Sequence, residues 1–110
     1  MRVAAVISDL MLYSRIESAA TAAGASLVRV DSPTDLTDDL DLVLVDWTAR
    51  DPGWADALLA WRDVAHARLV LFGQHTDLAA HADARIADLG PMWARSRLVK
   101  QLGQLLTRAP

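Results

Sequence analysis

The seven residues Asp41 to Trp47, DLVLVDW, constrain this chain more than any other stretch. Leu42, Val43, Leu44 and Val45 follow one another without a polar interruption, so a strand built from them is apolar on both faces and needs cover on both. Such a strand belongs in the middle of a parallel sheet. The run stops on Asp46, a carboxylate at the carboxyl end of the strand, which is the edge where open α/β sheets gather ligands and chemistry. Asp46 is the reference point for the rest of the chain.

The flanking sequence repeats the same alternation. Val3 to Ile7 is an apolar run of strand length, after which Ser8 or Asp9 can cap a helix from Leu10 to Ala23. On that helix Leu12, Ile16, Ala19, Ala20 and Ala23 share one face, and Gly24 supplies the stop. Ser26 to Val30 reads as a short strand. Ser32 before Pro33 is a cap and first-turn proline, but the helix it opens has room for only a turn or two before Asp41. Asp51-Pro52 repeats that signal ahead of a helix whose face carries Trp54, Ala57, Leu58, Trp61, Val64 and Ala65. Arg68 to Phe72 is the fourth strand, ended by Gly73. Thr76 or Asp77 opens an alanine-rich helix to about Ala87, Gly90-Pro91 marks a turn, and Met92 to Ala94 can form a short edge strand. From about Ser96, Leu98, Leu102, Leu105 and Leu106 define the last amphipathic helix.

Five strand-and-helix units with right-handed crossovers give a three-layer, doubly wound α/β fold: a five-stranded parallel sheet in the flavodoxin-like order 2-1-3-4-5 with a short second helix. At 110 residues the expectation is one domain, 1–110, with one core. In that order the first and third strands are adjacent, which brings Asp9 and Asp46 to the same crevice.

Composition removes several functions. No cysteine is present, so there is no disulfide framework, thiolate nucleophile or zinc-cysteine site. No apolar run approaches the ~20 residues of a membrane span, and the amino terminus does not read as a secretory signal, so the expectation is a soluble cytoplasmic protein with no membrane partner. A net charge of -3 offers no global field for nucleic acid. His66, His75 and His81 are not at metal-binding spacing, and the five carboxylates between Asp31 and Asp41 lack the ligand pattern of a calcium loop. No phosphate loop, dinucleotide fingerprint or serine-hydrolase motif is present. From Leu89 onward there are only basic charges, Arg95, Arg97, Lys100 and Arg108. They fit either a solvated helix face or a docking surface.

Over essentially its whole length the chain resembles the receiver domain of bacterial two-component response regulators. DLVLVDW is similar to the receiver's third strand, and Asp46 stands at the position of its phosphoacceptor aspartate. In that family an acidic pair after the first strand helps to hold Mg²⁺, a hydroxyl after the fourth strand contacts the phosphoryl group, and a lysine after the fifth pairs with it. Here Ile7 and Ser8 stand where the acidic pair belongs, with Asp9 one place later. Phe72-Gly73-Gln74 offers no hydroxyl, and Trp93-Ala94-Arg95 offers an arginine, whose planar fork differs from a lysine's point charge. Since charge neutralisation dominates phosphoryl transfer, the resemblance implies a pseudo-receiver, a non-catalytic signalling or scaffold module with no cofactor that works through an unidentified protein partner.

Trp54 and Trp61 read as core. Trp47 and Trp93, at strand ends, fit either core or partly exposed interface anchors. The contact candidates are therefore Trp93, Arg95, Arg97, Lys100 and Trp47, with a homodimer through the last strand and helix as one form of contact. The alternative implied by the resemblance is a divergent phosphoacceptor in which Asp9 and Asp46 hold Mg²⁺ and Asp46 is phosphorylated. A third reading is a small-ligand site in the crevice with Trp47 as a stacking platform.

Overall fold

A computed structural model describes residues 1–107 of the chain. Arg108 of the basic end lies outside the described residues. Five strands, β1 (Arg2–Val6), β2 (Ser26–Val30), β3 (Leu42–Asp46), β4 (Arg68–Gly73) and β5 (Met92–Ala94), form one all-parallel sheet in the order β2-β1-β3-β4-β5. This is the doubly wound, flavodoxin-like order expected from the sequence. Four α-helices cover it: α1 (Leu10–Ala23), α2 (Trp54–Ala65), α3 (Leu78–Ile86) and α4 (Arg95–Leu106). The second crossover is a single 3₁₀ turn, Pro33–Asp35, so the trimmed connection is shorter than an α-helix.

The uninterrupted apolar run of β3 is what allows two separate packing layers. Leu42 and Leu44 point to one face, where Leu12, Ile16 and Ala20 of α1 meet Leu98, Leu102, Leu105 and Leu106 of α4. Val43 and Val45 point to the other, against Trp54, Leu58 and Trp61 of α2 and Ala80 and Ala84 of α3. Alternation along the strand thus feeds both layers, and all five residues of β3 are buried. The two edges differ from the centre. β2 is largely exposed and carries Arg29, and β5 has only three residues, features that discourage further strand pairing.

Local capping fixes where the helices begin. Asp9 caps α1, its Oδ1 accepting from the backbone N–H groups of Met11 (3.1 Å) and Leu12 (3.2 Å), and Gly24 ends the helix at φ 73°. Asp77 caps α3 through the Ala80 N–H. The start of α2 differs from the expected Asp51-Pro52 cap. These two residues lie in a turn, and the helix begins at Trp54 after Gly53, which adopts φ 94°. A left-handed residue is needed to redirect the chain there, and glycine accepts it without steric cost. β1 also starts and ends one residue earlier than expected, although Ile7 is still buried. Val64, expected on the core face of α2, is 60% exposed, because that face is narrower than its run of apolar residues.

Candidate functional site

The parallel register brings the carboxyl ends of β1, β3, β4 and β5 to one edge. Val6 pairs with Val45, Asp46 with Phe72, and Gly73 with Ala94, so Asp46 emerges between Ile7 and Gly73. Asp46 is the one buried charged residue among those described. The chain turns immediately into a 3₁₀ turn, Trp47–Ala49, which returns the Thr48 side chain to the strand end. Thr48 Oγ1 donates to Asp46 Oδ1 at 2.6 Å.

Arg95, the first residue of α4, completes the cluster. Its Nη2 donates to Asp9 Oδ2 at 2.9 Å and lies 3.9 Å from Asp46 Oδ2. Asp9 and Asp46 therefore do meet at one crevice, as the strand order implied, but they meet on a guanidinium. Three of the four carboxylate oxygens accept hydrogen bonds, from the α1 backbone and Arg95 for Asp9 and from Thr48 for Asp46, while Asp46 Oδ2 has only the Arg95 charge 3.9 Å away. The backbone N–H of Leu12 and the Arg95 guanidinium hold the Asp9 carboxyl below its ordinary range, both favouring the ionised form.

Two more arginines engage oxygens at the same edge. Arg29 Nη1 donates to the Ile7 carbonyl (3.2 Å), and Arg50 Nη1 to the Trp47 carbonyl (3.1 Å) while pairing with Asp83 of α3. A Mg²⁺ ion demands near-octahedral oxygen ligation. Here two carboxylates converge with a cation already between them, and among the described residues no group of three His, Asp or Glu side chains is placed to hold a metal. The donor set does not fit Mg²⁺ as the chain stands.

Trp47 and Trp93 are not the partly exposed anchors that their positions at strand ends suggested. Trp47 is 2% exposed, its Nε1 donates to the Ala80 carbonyl of α3 (3.0 Å), and Arg50 lies over its ring. It has no free face on which a ligand could stack. Trp93 is 8% exposed, packed in the α1–α4 layer with the Arg97 guanidinium 3.9 Å from its ring centre. Strand-end position alone does not expose a tryptophan when a helix or an arginine closes over it. Arg97 and Lys100 remain on the exposed surface of α4. Beside them a groove of about 650 Å³ runs between α1 and α4, lined by Met11, Leu12, Arg15, Val99 and Lys100, with Asp9 and Arg95 at its end.

The sequence reading missed Thr48 and Gly73. No hydroxyl directly follows β4, where Gln74 stands; the one beside Asp46 comes instead from two residues beyond it. Gly73, read as a strand stop, is also a spacer. A Cβ there would lie 2.6 Å from Thr48 Cγ2 and 3.0 Å from Met92 Sδ. The Thr two places after a strand-ending Asp was the available signal, since hydroxyl side chains at such turns bond locally. His81 reaches the His75 carbonyl, and His66 ends α2 at φ 53°, so these histidines serve local structure.

No protein-family model matches the chain, and no curated protein sequence matches it either.

Proposed function

We propose that the chain is a pseudo-receiver, a signalling or scaffold module that does no phosphoryl transfer and works through protein contacts. The observation that carries this reading is the environment of Asp46: at the position of a phosphoacceptor, its carboxylate is buried, hydrogen-bonded by Thr48 and faced by an Arg95 that is itself bonded to Asp9. In-line attack on a phosphodonor needs a free carboxylate oxygen and a cation that can neutralise the incoming oxygens. One oxygen of Asp46 is hydrogen-bonded by Thr48, the other faces Arg95 at 3.9 Å, and that one cation of the cluster is hydrogen-bonded to Asp9. Arg95 would have to release both acids to serve a phosphoryl group.

The contact surface of this reading is the exposed side of α4 with Arg97 and Lys100, continued by the groove against α1. Trp93 contributes from beneath, by holding the Arg97 guanidinium against its ring rather than by meeting a partner itself. The reading is tested by incubating the protein with Mg²⁺ and acetyl phosphate or phosphoramidate and measuring intact mass. The expected result is no phosphoryl adduct; a stoichiometric adduct that disappears in Asp46→Asn would favour a divergent phosphoacceptor instead.

A further inference from the structure

We propose that the groove between α1 and α4 binds an amphipathic anion, a linear alkyl chain ending on a carboxylate, with the chain against Met11, Leu12 and Val99 and the carboxylate on Arg15 and Lys100. The proposal rests on the make-up of the groove and is independent of the receiver reading. Spacing along the two helices builds it. Met11 and Arg15 stand one turn apart on α1, and Ser96, Val99 and Lys100 fall at i, i+3 and i+4 on α4, so each wall sets an apolar side chain beside a cation. Leu12 is buried and forms part of the floor, whereas Met11 is 83% exposed. An unbranched, adaptable side chain is thus left at the groove with most of its surface uncovered.

The charge of the groove is one-sided. Asp9 is its one acid, and its oxygens are taken by the Met11 and Leu12 N–H groups and by Arg95. Arg15 and Lys100 have no acidic partner among the described residues. Glu17 lies beside Tyr13, on a side of α1 turned away from Arg15, and no acidic side chain follows Leu89 in the chain. An apolar floor between two unpaired cations selects a ligand that is apolar along its length and anionic at one end. A cationic amphiphile would meet like charge, and a small hydrophilic anion would leave the floor uncovered. The volume, about 650 Å³, suits a small molecule, whose sites run to roughly 300–1,000 Å³. The alkyl stems of Arg15 and Lys100 can lie along the chain while their heads take the carboxylate in charge-assisted hydrogen bonds.

The test uses dodecanoate below its micellar concentration as the probe, titrated calorimetrically, with the Met11 methyl resonance reporting where it sits. One dodecanoate per chain is expected to bind and to shift the Met11 methyl. Octanoate, four methylenes shorter, should bind at least ~10-fold more weakly, because the lost contact is apolar. Arg15→Gln combined with Lys100→Gln should cost ~10-fold or more in dodecanoate affinity, as expected for charge-assisted bonds, whereas Arg85→Gln on α3 should leave it unchanged. All of these positions are exposed, so the variants keep the fold. Absence of saturable binding, a Met11 methyl that does not shift, equal affinity for dodecyltrimethylammonium, or binding that survives the double substitution would overturn the proposal. So would an acidic, leucine-containing peptide that binds the groove more tightly than dodecanoate, since the site would then be one for protein segments. None of these results bears on phosphoryl transfer, so the proposal can fail while the pseudo-receiver reading stands.

Discussion

At the scale of single residues, Gly73 and Thr48 form a coupled pair that determines how Asp46 is held. Thr48 is β-branched, so its methyl group and hydroxyl cannot be moved independently. A Cβ at position 73 would press on the methyl at 2.6 Å and on the hydroxyl oxygen at 3.2 Å, displacing the group that donates to Asp46. Gly73→Ala is expected to destabilise the fold by about 1–3 kcal/mol, the usual range for forced overpacking. In a Thr48→Ser background, which removes the clashing methyl and keeps the hydroxyl, the same substitution should cost clearly less. Urea denaturation of the four proteins checks this. An equal cost in both backgrounds would mean that the contact with Met92, not Thr48, explains the glycine. Neither residue could be read as a partner of the other from sequence, because 25 positions separate them and only the β3–β4 register brings them together.

At the scale of elements, α1 is tied to the cluster by its own cap. Asp9 spends one oxygen on the helix N–H groups and the other on Arg95, and both contacts favour its ionised form, so its folded pKa lies below the ordinary 3.8. A group whose pKa is lowered by folding stabilises the fold above its unfolded pKa, and that contribution is lost as pH falls through the folded value. Asp9→Asn keeps a capping side chain but not the charge. The wild type should therefore exceed this variant in stability at neutral pH, with the gap closing as pH falls below about 4. Thermal melts across that range check it, and a gap independent of pH would show that the cap alone matters. The limits of α1 and α3 were legible in the sequence because Asp9, Gly24 and Asp77 act within a few residues. The start of α2 was not, since the left-handed Gly53 overrides an Asp-Pro pair that looks like a cap. Nor was the burial of Trp47 and Trp93, which depends on the Ala80 carbonyl 33 residues away and on Arg97 folding back over a ring.

At the scale of the whole molecule, strand order was legible because each apolar run is separated from the next by a connection of crossover length, and right-handed crossovers leave few topologies. That order alone placed Asp9 and Asp46 at one crevice. What it could not give was the group between them, because the reach of Arg95 depends on the short β5 strand ending at Ala94 and on α4 starting at the very next residue. Arg95 thereby joins the first helix, the central strand and the last helix in one charge cluster, which is expected to be intact in solution. The direct measurement is nuclear magnetic resonance of the arginine side chains. Held by two carboxylates, the Arg95 guanidinium should show slowed rotation and resolved Nη–H signals that vanish in Asp9→Asn combined with Asp46→Asn. Averaged Arg95 signals like those of the exposed Arg85 would contradict it and leave Asp46 free to react.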